Sequence, residues 1–522
     1  MRSFEKTDDS VVVVIGSGAG GATVAHELCE NGISVVVLEA GPRLNIDDFH
    51  NDELKAYGQL TWADKRIATG DWPAASLAPN APTWIVKAVG GSTIHWNGLS
   101  LRAQPHEFRA RSVYGEIEGS SLADWPLTHD ELAPFYDKAE DKMGVTGTHG
   151  IDRHPANNNY KVLYNGAKRI GYTKVSNAHL AINSEFRDGR SACIQLGFCN
   201  QGCKMGAKWS TLYSEIPKAE ETGNLDLRSN CMVLRIEHDA TGKVNGVVYV
   251  DKDGVEQRQS ARVVCIAGNA IETPRLLLNS SSNLFPNGLA NSSGEVGRNY
   301  VRHVGAIAFG EFSEPINMHR GITVPGTVFD EASHDPARGF VGGYLMEAVS
   351  LGLTNLAVVG DAAGWGRDYA RFIESYSHLA GVLLNGEDMP RSQNGVTLHP
   401  TERDQYGLPV PVINVNIHDN DKEMGKHFEG QANALLDAAG ALHVRHIVTA
   451  AATHNMGTCR MSAKANRGVV NSFGQTHDVK NLFVSDGSQF VTATAENPTL
   501  TIVALAIRQA KKIAQEMISK SL

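Results

Sequence analysis

The chain has 522 residues, 42% hydrophobic and 20% charged, with 52 glycines and a formal net charge of −9. That length exceeds one ordinary core, so two or more closely joined domains are expected. The acidic balance offers no electrostatic footprint for nucleic acid, and no apolar run approaches the roughly 18–20 residues that span a bilayer.

The opening segment MRSFEKTDDSVVVVIG enters a predicted strand almost at once, which leaves no room for a signal or transit peptide. VVVVIGSGAGGATVAHELCENGISVVVLEAG then reads as strand, glycine turn, helix and strand. Val11–Ile15 is a continuous β-branched run, as suits a parallel strand covered on both faces. Gly16, Gly18 and Gly21 form G-x-G-x-x-G: one for the tight turn, one for close approach to a pyrophosphate, one for helix–strand packing. Glu39 closes the second strand, where a carboxylate accepts both ribose hydroxyls and disfavours a 2′-phosphate. FAD and NAD remain.

Gly90-Gly91-Ser92 is a second glycine turn, suited to backbone contact with a large flat cofactor. Between Ser191 and Thr211 lie Cys193, Cys199 and Cys203, three of the seven cysteines. Their C-x5-C-x3-C spacing lacks the close pairs and fourth ligand of a tetrahedral zinc site, and His179 upstream is one distant histidine. A disulfide leaves one thiol over and needs an oxidising compartment. The glycine- and amide-rich neighbours argue against packing alone, and three thiolates suit a cluster with three cysteine-bound irons, although four-cysteine clusters are commoner. Cys29, Cys231, Cys265 and Cys459 sit in apolar or motif stretches and read as inert core.

Further on, NCMVLRIEHDATGKVNGVVYVDKDGVEQRQSARVVCIAG alternates with period two around two turns and predicts an antiparallel meander. Its last strand, Val263–Ala267, is apolar throughout and is expected to rejoin the parallel sheet. ENPTLTIVALAIRQAKKIAQEMI predicts a long C-terminal helix with Asn497 as N-cap and Pro498 at the first position.

Taken together, Gly16–Gly41, VGGSTIHWNG (Val89–Gly98), VVCIAGNAIETPRLLLNS (Val263–Ser280), EVGRNYVRH (Glu295–His303) and the C-terminal THNMGTCRM … TATAENPTLTIVALAIRQA resemble, in order and spacing, the glucose–methanol–choline (GMC) oxidoreductases. Gly310 to Gly440 carries no motif that we place. The resemblance implies an α/β protein: a Rossmann-like FAD-binding domain with an inserted α+β substrate domain built on an antiparallel sheet. The FAD blocks fall near residues 1–60, 225–305 and 441–522. The substrate blocks fall at 61–224, which includes the cysteine loop 191–211, and at 306–440.

The same resemblance implies roles for individual residues. His454 is the general base and Asn497 holds the substrate oxygen, while Pro498 and Thr499 begin a helix whose positive end faces the flavin N1/C2 edge. Gly90, Gly91, Ser92, His95 and Asn97 line the cofactor, Val233 meets the adenine through its backbone, and Asp486 binds the phosphate or ribityl region. His95 stands where some sugar-oxidising relatives attach FAD covalently; a histidine packed beside the flavin is the favoured reading. Gly342–Tyr344 and Gly364–Tyr369 are expected near the pocket, with Trp365 placed to stack on a sugar.

Cysteines of this kind mark the bacterial sugar dehydrogenase branch, which DWPLTHDELAPFYDKAE (Asp124–Glu140) also resembles. There a [3Fe–4S] cluster on Cys193, Cys199 and Cys203 takes electrons from the flavin and passes them to a cytochrome c-type acceptor. The large subunit is exported to the periplasm with a small signal-bearing subunit; the cytoplasm is the alternative location. The expected reaction is oxidation of a sugar hydroxyl, with C3 of a glucoside preferred and gluconate C2 among the other positions. An oxygen-using pyranose or glycoside oxidase is the runner-up, and a lyase with an idle flavin, or a non-catalytic binding protein, the remote readings.

Overall fold

A computed structural model of the chain describes residues 2–360, 365–449 and 451–522. Its first layer is a five-stranded parallel sheet in the order Leu482–Val484, Val263–Ile266, Val12–Ile15, Val35–Leu38, Leu225–Arg228. Val12 pairs with Val35 on one side and with Val263 on the other. These strands are valine-rich and almost fully buried because helices or the meander cover both faces. Helix Ala19–Glu30 and the C-terminal helix Thr499–Ile518 pack against one another. The expected meander forms over Met232–His238, Val244–Val250 and Glu256–Ser260, and its exit strand joins the parallel sheet.

The second layer is a six-stranded sheet in the order His443–Val448, His303–Glu311, Leu379–Glu387, Tyr344–Val349, Gly326–Val328, Val175–Asn177. Alternation assigns its faces. Tyr344, Met346, Ala348, Val382 and Leu384 turn toward helices Asn158–Arg169 and Asp419–Ala439, in a core with Phe428 and Leu435. Glu347 and Leu383, on the opposite face, roof a cavity above the parallel sheet.

The two layers interlock more than a simple block division implies. Strand His303–Glu311 starts before the 305 mark, and His443–Val448, placed by sequence in the cofactor blocks, pairs with it in the roof. Helix Glu215–Glu221, in the substrate block, packs on Ala19–Glu30. The Asp124–Glu140 segment opens a helix at His129, with Thr128 and Glu131 as a capping box. Tyr136 on that helix shares a 2.7 Å hydroxyl–hydroxyl bond with Thr501 of the C-terminal helix. Among the described residues no helix is long and apolar enough to cross a membrane.

Candidate active site

One elongated cavity runs from the glycine turns to the roof, lined by residues from both layers. At its first end Gly16 and Gly18 meet the start of Ala19–Glu30, whose unpaired backbone N–H groups suit an anion. Gly18 and Gly91 approach so closely that a β-carbon on Gly91 would lie 3.0 Å from the Gly18 Cα. Side chains there would fill the space a pyrophosphate needs. Ser17 ties the two turns together, its hydroxyl accepting from Gly90 N at 3.0 Å and donating to Glu39 at 2.7 Å. Glu39 also accepts from Ser17 N and Gly41 N, and burial raises its pKa against those bonds. Gly21, by contrast, faces Gly16 O and serves helix packing.

Val233 and its neighbours Cys231, Met232 and Leu234 line the same cavity. Ser92, His95 and Asn97 border the middle, with Trp84 4.5 Å from the His95 ring. Burial, reinforced by Lys208, lowers the His95 pKa to about 3, so the ring is neutral. Asp486 also reaches the cavity, but its carboxylate already accepts from Asn269 N, Thr273 Oγ1 and Ser488 N and Oγ. Its first role in the structure is to pin two turns.

At the far end stand His454, Asn455, Asn497 and Glu347. His303, which closes the EVGRNYVRH motif, contacts His454 Nδ1 through its own Nδ1 at 2.8 Å, while its Nε2 lies 2.7 Å from Thr494 O. A carbonyl only accepts, so His303 Nε2 carries the hydrogen. Neutral His303 then has a bare Nδ1, and His454 Nδ1–H must donate to it. That leaves the lone pair of His454 on Nε2. Burial, then His303 and His95, holds the His454 pKa well below the usual histidine range; burial, against hydrogen bonds to Thr494 and Asn385 and with help from Arg302, takes His303 to about 4. The arrangement is a neutral imidazole in a fixed tautomer, ready to take a proton.

Asn497 lies just before the helix rather than capping it: Pro498 is the cap, no side chain completes it, and the helix begins at Thr499. Freed from capping, Asn497 stands within hydrogen-bonding reach of Glu347, and its Oδ1 is buried without a partner. Burial raises Glu347 to about 8. Tyr300 donates to Asn455 Oδ1 at 2.5 Å and steadies the segment after His454.

Tyr344 turns away from this cavity into the helix layer, where its hydroxyl meets His427 Nδ1 at 2.8 Å. Gly364 lies outside the described residues, and Trp365 is 90% exposed, so the expected aromatic platform is not at the cavity.

The three cysteines of the 191–211 loop line a second, small apolar cavity beside the first. All are free thiols. Gln195 N donates to Cys193 Sγ at 3.4 Å and Lys208 N to Cys203 Sγ at 3.3 Å. Among the described residues the sulfurs do not close within the 4.8 Å at which one ion could bind all three. Burial raises the thiol pKa values of Cys193, to about 11, and of Cys199. Asn200, next to Cys199, lines the main cavity. Buried Lys208 donates to Cys199 O, Ile94 O and Trp96 O at 2.6–2.7 Å, joining the cysteine loop to the segment that carries His95.

Two family models, both described as GMC oxidoreductase, match residues 11–305 and 390–506. The chain is a GMC oxidoreductase. It is 33% identical to 2-methyl-1,2-propanediol dehydrogenase of Mycolicibacterium austroafricanum, over 97% of this chain and 96% of that one. It is 29% identical to the fructose dehydrogenase large subunit of Gluconobacter japonicus (97% and 98%) and 25% identical to the gluconate 2-dehydrogenase flavoprotein of Pantoea cypripedii (97% and 93%). Among solved structures, pyridoxine 4-oxidase from Mesorbium loti superposes with a TM-score of 0.67 over 97% of this chain and 99% of that chain, at 16% identity. Formate oxidase superposes at 0.68 over 98% and 99%, also at 16% identity. The family assigns FAD-dependent oxidation of CH–OH groups, and the paired glycine turns, the helix N-terminus and the long cavity fit that cofactor.

His303, which touches His454, and Glu347, which lines the cavity, are the residues that sequence reasoning missed. His303 ended a quoted motif and had a signal; Glu347 stands in the stretch without one.

Proposed function

We infer that this GMC oxidoreductase is a sugar dehydrogenase that oxidises a ring hydroxyl, with C3 of a glucoside as the preferred position. The observation that carries the reading is the cysteine pocket: its Cys199 is followed directly by Asn200, which lines the flavin cavity, and Lys208 ties Cys199 O to the Ile94–Trp96 segment of that cavity. In that reading the substrate hydroxyl lies between His454 Nε2, which accepts its hydrogen, and the Asn497 amide, whose Nδ2–H donates to its oxygen. His454 takes the hydroxyl proton at Nε2, and Asn497 orients the oxygen. His303 keeps the tautomer, and the apolar roof residue Leu383 excludes water from above. Bound FAD supplies the hydride acceptor. Cys193, Cys199 and Cys203 would hold a [3Fe–4S] cluster, which supplies a one-electron acceptor; their separation disfavours a single ion and their backbone N–H donors suit sulfur ligation. A small partner subunit, a cytochrome c-type acceptor and export to the periplasm belong to the same reading. The similarity to two named subunits or flavoproteins of sugar dehydrogenases supports it.

The test is iron and acid-labile sulfide analysis of anaerobically purified protein, with electron paramagnetic resonance of the oxidised sample and a pyranoside panel under dye reduction. About three irons per flavin and sugar-dependent dye reduction are expected. Iron-free protein that produces peroxide from the same sugars would replace this reading with an oxidase.

A further inference from the structure

The roof above the reacting end holds polar groups that the oxidation step does not use. Glu347 is 1% exposed, lines the cavity and has no partner for Oε1. Its cross-strand neighbour on one side is Thr327, 0% exposed, with Oγ1 also unpartnered. Directly opposed residues of an antiparallel pair have β-carbons about 4.5–5.5 Å apart, so Thr327 backs Glu347 from just behind the cavity wall. On the other side Glu347 pairs with Leu383, an apolar cavity-lining residue. Asn497 connects Glu347 to the catalytic pair. Leaving such atoms buried and unpaired destabilises the fold, and a bound ligand would recover that cost.

We propose that Glu347, with Thr327 beside it, forms a subsite for the second hydroxyl of a vicinal diol whose first hydroxyl lies between His454 and Asn497. This deepens, and rests on, the oxidation reading given above. A carboxyl group held protonated by burial both donates and accepts, which matches a hydroxyl and not a cation. Leu383 packs against the carbon skeleton between the two oxygens. The substrate class is therefore an alcohol with an adjacent hydroxyl, a feature of pyranosides and of open-chain 1,2-diols alike.

The experiment compares trans-cyclohexane-1,2-diol, cyclohexanol and trans-2-aminocyclohexanol on the anaerobic holoenzyme. Binding is read from perturbation of the oxidised flavin spectrum and oxidation from its bleaching. Wild type should prefer the diol over cyclohexanol by about 10²-fold in kcat/KM, as a site with buried polar groups rejects an analogue that cannot pair with them. Glu347→Leu should abolish that preference by lowering kcat/KM for the diol far more than for cyclohexanol; Glu347→Gln, which keeps a donor and an acceptor, should retain most of it. If the diol binds selectively but nothing bleaches, the subsite stands and the oxidation reading falls. Failure of the diol to bind, equal treatment of diol and cyclohexanol, preference for the amino alcohol, or equal losses on all three substrates in Glu347→Leu would overturn the subsite.

Discussion

His454 works because of what its neighbours refuse to do. Thr494 O takes the only hydrogen of neutral His303, so the imidazole beside it has one tautomer available. Replacing His303 with Leu should therefore lower kcat by about 10²-fold or more with little change in KM, the signature of a lost tautomer rather than a lost contact. Flavin content would check that the variant folds. Neutrality has a second consequence. His95 and His303, at about 3 and about 4, and His454 lower than its usual range, stay unprotonated in the fold, whereas the unfolded chain protonates them near pH 6.5. The unfolded state then binds more protons, so stability present above pH 6.5 is lost as pH falls toward 4, by up to about 1.4 kcal/mol per pH unit per histidine. Melting temperature measured from pH 7.5 to 5 should show this slope, and His95→Gln should flatten it. His454 and Asn497 were legible because each sits in a contiguous motif. Glu347 was not: its neighbours YLMEAV spell only a buried strand, and its meaning comes from Asn497, which lies far away in sequence.

The elements around the cofactor are held by backbone proximity. The G-x-G-x-x-G pattern drew attention to Gly16, Gly18 and Gly21, yet the tightest position is Gly20, whose β-carbon would lie 1.6 Å from Ser485 O. Helix Ala19–Glu30 can reach the end of strand Leu482–Val484 only without that atom. Gly20→Ala should push the helix away and yield protein lacking the 450 nm flavin band, while the distant Gly32→Ala, whose β-carbon meets nothing but needs a positive φ, should keep its flavin and lose only some stability. The meander and its return strand were readable because alternation and continuous apolar runs are local signals. The helix start was misread by one residue: Asn-Pro signals a cap, but here Asn497 turns to the cavity and Pro498 takes the cap position. A capping preference is worth about 1 kcal/mol, a small sum against a functional site.

At the scale of the whole molecule, the parallel sheet and its glycine turns were legible, whereas the division into blocks was not, because strand pairing crosses it. His443–Val448 follows a helix of the substrate layer, joins the roof, and delivers the chain to His454 within a few residues. That path lets one segment place His454 in the cavity below the roof. The cysteine loop hangs from the same wall. Cys199→Ser should leave sugar-dependent flavin bleaching intact and abolish cytochrome c reduction; retention of both activities would show that the thiols carry no electrons. The central claim is that His454 removes the hydroxyl proton as the flavin is reduced. Anaerobic stopped-flow absorbance of the flavin, mixed with a pyranoside, tests it most directly. Wild type should bleach, and His454→Asn should bleach about 10²–10⁴-fold more slowly with its flavin still bound. Equal rates in the two proteins, or a wild-type flavin that no sugar or diol bleaches, would contradict the account.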